Sequence, residues 1–129
     1  MRPAADATVI AWLDRQDAAD LYLTSISLAE LLVGLQTMPE GRRRATLTVR
    51  LDGLLTRLFG TRILPFDMPA ARAYAQLAAG SRSRGRMVGL ADGQIAAIAF
   101  SRGYTVATRD TGPFRAMGVP VIDPWSASG

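Results

Sequence analysis

The hydrophobic positions of this chain follow two alternating patterns. Apolar residues recur at every third or fourth position in several stretches, which predicts helices: Ala5–Arg15, Leu28–Leu35, a long stretch from the arginines at 42–44 to Phe59, Met68–Ser83, Leu90–Phe100 and a short turn at Phe114–Ala116. Runs of apolar and β-branched residues between them predict strands: Leu21–Thr24, Arg62–Phe66, Tyr104–Ala107 and Val119–Ile122. Strands that alternate with helices are typical of an α/β fold with a mostly parallel sheet.

The helix that starts at Leu90 carries an acidic residue on its apolar side. Steps of three or four residues from Asp92 reach Ile95, Ala96 and Ala99, so a carboxylate stands at the head of the apolar stripe. A lone buried carboxylate is costly unless a cation or hydrogen-bond donors receive it. Asp92 therefore belongs to a charged site, or it caps the helix by accepting a backbone N–H.

Other acidic residues leave a similar choice. Ser27 and Glu30 have the S-x-x-E spacing of a capping box, which would explain Glu30 by local structure alone. Asp110 could form an Asx turn with the two residues that follow it. Asp67 stands directly before a proline-containing helix start, and we predict that it caps that helix.

Composition limits the chemistry that this chain can perform. Its 129 residues, half of them hydrophobic and a fifth charged, suffice for one globular domain. The longest nearly apolar run, Ile95–Phe100, is too short to cross a membrane, and no secretory signal is recognisable, so we predict a cytoplasmic protein. The absence of cysteine and histidine excludes disulfides, thiolate nucleophiles, imidazole ligands and Ser-His triads. Acid–base or metal chemistry would therefore have to use oxygen.

The basic residues are all arginines, fifteen of them, and the net charge is +4. A positive net charge is compatible with a polyanionic partner, although many basic proteins bind none. Arg42, Arg43 and Arg44 form a cluster near a helix N-terminus, where they oppose the helix macrodipole. The cluster is either a solvated surface or a contact for phosphate groups.

Three acidic residues are expected at one edge of the sheet. In open α/β sheets, ligands lie at the carboxyl ends of the strands. Asp110 and Glu30 each follow a predicted strand, and Asp92 opens the helix that leads into the strand before Asp110. Clustered carboxylates repel one another unless a positive ion lies among them. With only oxygen ligands available, Mg²⁺ or Mn²⁺ is the natural occupant.

At these residues the chain resembles the PIN-domain ribonucleases, specifically the VapC-type toxins of bacterial toxin–antitoxin pairs and the related FitB group. The similarity covers essentially the whole chain and rests on four segments: Ser25–Leu31, Leu90–Ala97, Val106–Phe114 and Asp123–Trp125. Each segment alone is weakly specific, whereas the four in this order are specific.

The resemblance implies a PIN-like three-layer α/β/α fold, rich in helix, with a mostly parallel sheet in a single domain over 1–125 and a loose tail over 126–129. It also implies a metal-dependent endoribonuclease in which Glu30, Asp92 and Asp110 hold one or two Mg²⁺ or Mn²⁺ ions. Thr108 matches the family's hydroxyl beside the site, where it would orient Asp110 or a metal-bound water. That water would attack the RNA phosphodiester without a covalent enzyme intermediate.

The partners that the resemblance implies are an RNA substrate, a second copy in a homodimer and a VapB-like antitoxin. The antitoxin would place a segment over the acidic pocket, and an arginine of that segment could contact the carboxylates in a bidentate manner. Operator DNA would be bound through the antitoxin, and no membrane is involved.

The chain departs from the family pattern at its start. The family begins with an apolar strand that ends in Asp-Thr-Asn or a close variant and supplies a further metal ligand, whereas this sequence opens at Met1-Arg2-Pro3. We therefore expect Met1 to be an internal methionine of a longer working protein; the alternative is a shortened form of the family's domain. Two alternatives to a nuclease stay open: a catalytically incomplete PIN-like module that binds an antitoxin or nucleic acid, and a small basic DNA-binding protein without a metal.

Overall fold

The computed structural model describes residues 10–15, 21–60 and 62–123, and residues 10–14 are helical. The whole of the predicted strand Leu21–Thr24 falls inside these ranges, whereas about half of the first predicted helix, Pro124, Trp125 and the tail lie outside them. The chain forms two compact units, Met1–Leu64 and Pro65–Gly129. The predicted single domain over 1–125 stays a prediction. Across the described ranges, no helix has the length and apolar character needed to cross a membrane.

The described part of the chain contains, after the helical residues 10–14, five α-helices: α1 Ser25–Gln36, α2 Arg42–Leu54, α3 Met68–Ser83, α4 Leu90–Arg102 and α5 Gly112–Met117. A π-helical turn, Leu55–Phe59, continues α2. Four strands of two residues each separate the helices: β1 Leu23–Thr24, β2 Ile63–Leu64, β3 Val106–Ala107 and β4 Val121–Ile122. The strands are shorter than predicted because only these residues pair in the ladders.

The first unit has a core made of large aliphatic side chains. Its strands β1 and β2 pair in parallel, with Leu23 opposite Ile63. The buried side chains of its helices are mainly leucines at helical spacing, joined by one phenylalanine: Leu31, Leu35, Leu47, Leu51, Leu54, Leu58 and Phe59. The predicted apolar stripe of the long helix is confirmed, with Leu55 only partly buried at the start of the π-helical turn.

The start of α1 differs from the prediction. The helix begins at Ser25, three residues before the predicted Leu28, and its N-cap is Thr24, whose side chain accepts a hydrogen bond from the Ser27 backbone N–H at 2.9 Å. The capping box of Ser27 with Glu30 is therefore wrong, since Ser27 lies inside the first turn. Thr24 can cap because its place in β1 gives it an extended backbone, with φ −82° and ψ 151°.

The second unit is built on helices whose buried side chains are mostly small. α3 packs along α4, and the buried residues of the two helices are alanines at five positions, together with a glycine, a serine and one larger residue: Ala70, Ala73, Ala96, Ala97, Ala99, Gly93, Ser81 and Ile98. Strands β3 and β4 pair in parallel, with Val106 opposite Val121. Gly103 and Gly118 end α4 and α5 in the left-handed conformation, at φ 74° and 78°, which glycine adopts without strain.

Candidate metal centre

Asp92 lies in the first turn of α4, and the helix is capped by a different residue. The N-cap is Gly89, which has no side chain to accept a backbone hydrogen bond. The alternative interpretation of Asp92 as the helix cap is therefore wrong. Its side chain is partly buried at the start of the helix that the apolar stripe Ile95, Ala96 and Ala99 fixes in place.

The carboxylate of Asp92 is held in an unfavourable electrostatic position. Its pKa is raised above the ordinary value of 3.8, first because burial removes water from the carboxylate and second because the charge of Asp110 repels it. A helix N-terminus favours a negative charge in its first turn, so these two causes outweigh the macrodipole. The two carboxylates, eighteen positions apart in sequence, therefore interact in the folded second unit.

Asp110 lies three residues after the end of β3, and the backbone there is held by two hydrogen bonds. The Thr108 backbone N–H donates to the Ile122 carbonyl at 3.0 Å, which extends the β3–β4 pairing by one residue. The Asp110 backbone N–H then donates to Thr108 Oγ1 at 3.2 Å, so the hydroxyl fixes the backbone that carries the carboxylate. Among the described residues, the Asp110 carboxylate makes no hydrogen bond of the Asx-turn kind. The carboxylate is exposed and faces the charge of Asp92 instead.

Gly93 allows α4 to lie close enough to α3 to hold Asp92 there. A Cβ atom at Gly93 would lie 2.7 Å from Tyr74 Cε2 and 2.8 Å from Val88 Cγ1, both too short for carbon contacts. Tyr74 is itself held by Phe66, whose ring meets it edge-on at a centroid distance of 6.1 Å. The sequence interpretation did not single out Gly93. The available indication was a glycine inside a helical pattern, which costs helix stability and therefore implies a packing requirement.

Asp67 is a structural carboxylate, as the sequence predicts. Its Oδ1 accepts the Ala70 backbone N–H at 3.1 Å and caps α3. Its Oδ2 lies 3.3 Å from Arg102 Nη2 at the last turn of α4, so one side chain links the start of α3 to the end of α4. Both oxygens are therefore occupied by protein donors, which removes Asp67 from the set of metal ligands.

Glu30 lies in the first unit, in the second turn of α1, where its side chain is partly buried. Because the helix begins at Ser25, Glu30 is one turn further from the helix start than predicted. Within residues 10–15, 21–60 and 62–123, no group of three acidic side chains is close enough together to hold a metal ion. The described residues thus bring Asp92 and Asp110 together, and the place of Glu30 beside them stays a prediction.

The pair of Asp92 and Asp110 fits a divalent cation by its chemistry. Hard ions such as Mg²⁺ and Mn²⁺ take carboxylate oxygens, and two like charges that repel each other are stabilised by a cation between them. One ligand is partly desolvated and the other is exposed, so an ion would meet both protein oxygens and water. Mg²⁺ sites of this kind use one or two carboxylates and keep several waters.

The chain is similar to PIN-domain proteins both in sequence and in fold. Residues 2–120 match the PIN domain family. The chain is 48% identical over 120 residues to VapC ribonuclease Y4jK of Sinorhizobium fredii, covering 93% of this chain and 86% of that one. It is 43% identical over 125 residues to Toxin FitB of Neisseria gonorrhoeae, covering 97% and 90%. A solved structure of FitAB bound to an IR36 DNA fragment superposes with a TM-score of 0.81 at 41% identity, covering 94% of this chain and 85% of that one.

Proposed function

Because this chain belongs to the PIN-domain family of VapC- and FitB-type toxins, we propose that it is a metal-dependent endoribonuclease toxin that cleaves RNA phosphodiesters. The proposal takes the reaction from the relatives, one of which is named a ribonuclease and another a toxin. The metal-binding part of the proposal rests on the acidic residues of this chain.

The observation that carries the proposal is the electrostatic coupling of Asp92 and Asp110. A fold that only needed these two positions for packing would gain stability from neutral side chains, since each carboxylate destabilises the other. Groups whose pKa values are shifted by burial and by a like charge cluster at functional sites. The pair also occupies two of the three positions at which the sequence matches the family's acidic motifs.

Each residue of the proposed site has a distinct role. Asp92 and Asp110 hold the divalent ion, and Thr108 is a positioning residue that keeps the Asp110 backbone in place through its hydroxyl. Glu30 completes the ligand set on the strength of the family resemblance. When bound, the ion supplies an activated water and neutralises charge on the phosphoryl group. The carboxylates must be ionised to bind it, and the raised pKa of Asp92 makes that residue easier to protonate than an ordinary carboxyl, so acid weakens binding.

The proposed partners follow the same family. The relative is named a toxin, and the solved neighbour is FitAB bound to DNA. We therefore propose a VapB-like antitoxin that covers the acidic pair, a homodimeric assembly, and operator DNA contacts made through the antitoxin. An antitoxin arginine could replace the metal by a bidentate contact with Asp92 and Asp110, because a guanidinium fits two carboxylate oxygens.

Titration of the protein with Mg²⁺ and Mn²⁺ by calorimetry, alongside an RNA cleavage assay, tests the proposal. We expect the wild type to bind the ion stoichiometrically and to cut RNA, and Asp92→Asn and Asp110→Asn each to lose both properties. The exposed carboxylate of Asp52, on α2 in the first unit, provides a matched control, since Asp52→Asn removes the same charge and should change neither. Unchanged metal binding in both site variants would refute the proposed ligands.

A second candidate function is a PIN-like module that binds an antitoxin or nucleic acid without cleavage. It is favoured by one observation: only two acidic residues are brought together among the described residues. The same experiment separates the two candidates. Metal binding with no cleavage of any RNA, by a chain that still binds its partner, would support the module, whereas cleavage abolished by Asp92→Asn would exclude it.

A further inference from the structure

Helix α2 carries arginines along one exposed side. Its buried side is formed by Leu47, Leu51 and Leu54, and the arginines at 42, 43 and 50 lie on neighbouring positions around the helix. Arg42, Thr46 and Arg50 follow one another at steps of four residues, so they form a row on the surface. Arg43 and Arg50 are seven residues apart, which separates them by about 10 Å along the helix axis. We call Arg42, Arg43, Thr46 and Arg50 the arginine face.

The other arginines of this region have structural contacts, and those at the start of the arginine face do not. Arg44 donates to Gln36 Oε1 at 2.8 Å and to the Met38 carbonyl, which ties α2 to the end of α1. In contrast, among the described residues neither Arg42 nor Arg43 has a hydrogen-bond or ion-pair partner. Their side chains are exposed, and the fold does not use their charge.

The remaining arginine of the face is paired only weakly. Arg50 lies 3.7 Å from a carboxylate oxygen of Asp14, which makes a shorter contact of 3.0 Å with Arg57. All three side chains are about half exposed, and exposed ion pairs contribute little to stability. One carboxylate thus serves two arginines, and the face keeps an excess of positive charge.

The surface between the arginines is a shallow groove that is open to solvent. Arg42, Arg43, Thr46, Leu47 and Arg50 line one shallow groove, and Ala45, Thr46, Val49 and Arg50 line its continuation. Short side chains between long cationic ones let an extended polyanion approach the helix while guanidinium groups contact it from the sides. The spacing of Arg43 and Arg50 corresponds to roughly three nucleotides at the 3.4 Å rise of a stacked strand.

We propose that the arginine face binds the phosphate backbone of single-stranded RNA, outside the acidic pair. The choice of RNA rests on the proposed function, while the binding of a polyanion rests on the charge of the face. A second copy of this chain is a poorer occupant, because a two-fold contact through this face would bring the same arginines together. Guanidinium groups that are not engaged in the fold are suited to phosphate, to which they donate bidentate hydrogen bonds.

Binding of a short labelled single-stranded RNA of mixed sequence, followed by fluorescence anisotropy in EDTA over a series of salt concentrations, tests this proposal. For the full chain with Arg42→Ala and Arg43→Ala we expect an affinity lower by roughly two- to thirty-fold, the range for two surface ion pairs. The slope of log K against log salt should fall by about 1.4, which is about 0.7 for each lost phosphate contact of a single strand. Arg42→Lys with Arg43→Lys should keep the slope, because the charges remain.

The matched control is Arg72→Ala with Arg82→Ala, which removes two exposed charges from α3 in the second unit. An affinity and slope equal to wild type in the Arg42/Arg43 variant, or an equal loss in the control, would overturn the proposal. A changed oligomeric state with unchanged RNA binding would assign the face to a protein interface instead, and would also overturn it. Because EDTA removes divalent ions, this assay measures binding without cleavage. RNA that binds through the arginine face in EDTA, and is not cleaved when Mg²⁺ or Mn²⁺ is present, would contradict only the nuclease proposal.

Discussion

Helices α2 and α4 show two ways in which this chain combines burial with charge. α2 buries large leucines on one side and leaves its arginines in water on the other. α4 buries alanines and a glycine, and its first turn carries a carboxylate that is partly buried next to another carboxylate. Large side chains keep a helix at a distance from its neighbours, whereas small ones allow close approach. α4 packs tightly at Gly93, and the carboxylate one position earlier, Asp92, is partly desolvated.

The packing of the two helices is sensitive to opposite kinds of substitution. The stability of the first unit depends on filling volume, so removal of atoms is the most damaging change. The α3–α4 contact depends on keeping atoms out, so addition of an atom is the most damaging change. The predictions below test this difference, starting with the largest expected effect.

Leu51→Ala should destabilise the protein most. Leu51 is 1% exposed in the leucine core, and truncation of such a side chain costs about 2–5 kcal/mol through lost burial and the cavity left behind. Urea denaturation followed by circular dichroism measures the free energy of unfolding. Val49→Ala on the same helix is the control, because Val49 is 71% exposed and its truncation should change stability by no more than about 0.5 kcal/mol. Equal losses in both variants would contradict the leucine core as described.

Gly93→Ala should also destabilise, although alanine is the better helix former. The added Cβ would overlap with Tyr74 and Val88, and overpacking of this kind costs about 1–3 kcal/mol, against a helix-propensity gain of up to about 1 kcal/mol. The matched variant is Gly53→Ala in α2, where nothing lies within 4 Å of the added atom. That substitution should stabilise by about 0.5–1 kcal/mol, so the two alanines should have opposite signs in the same denaturation assay. If both variants were stabilised, α3 and α4 would lie further apart than described.

Asp92→Asn should produce the smallest effect, and its sign should depend on pH. Folding raises the pKa of Asp92 above 3.8, so the ionised form destabilises the folded chain. The contribution of Asp92 to the stability of the wild type is therefore most favourable below the unfolded-state pKa, and it is lost as the pH rises through the raised pKa. Without metal, Asp92→Asn should be slightly more stable than wild type at neutral pH and equal to it in acid. Mg²⁺ should then stabilise the wild type and leave the variant unchanged, by preferential binding to the folded state.

Thermal unfolding at several pH values, with and without Mg²⁺, measures these differences. The control is Asp52→Asn at an exposed position, which should show neither the gain at neutral pH nor an altered response to Mg²⁺. A wild type that is more stable than Asp92→Asn at neutral pH in EDTA would show that Asp92 is not electrostatically strained.

Much of the local structure could be predicted from the sequence. The predicted α/β class and PIN-like fold are confirmed, and α3 and α4 start where Asp67 and the stripe from Asp92 indicate. The end of α4 follows the same kind of local rule, because glycine, here Gly103, can adopt a left-handed cap without strain. Such features depend on a few neighbouring residues, which is why a sequence pattern is sufficient to predict them.

The start of α1 could not be decided in this way. Thr24, Ser25 and Ser27 can all cap a helix, so the local pattern allows several starts. The choice is made by the pairing of β1 with β2, which holds Thr24 extended opposite Leu64 and lets the helix begin at the next residue. The π-helical turn after Leu54 is likewise absent from the apolar pattern, which continues through it unchanged.

The sequence by itself determined which residue types could do chemistry here: oxygen ligands and arginines, with no thiol or imidazole. It also indicated the acidic positions by their resemblance to a family. Only the tertiary structure decided that Asp92 is partly buried and lies near the charge of Asp110, because the first turn of α4 and the residues after β3, eighteen positions apart, meet in the folded second unit. Burial and the field of a distant charge depend on how the chain packs, and neither can be read from neighbouring residues.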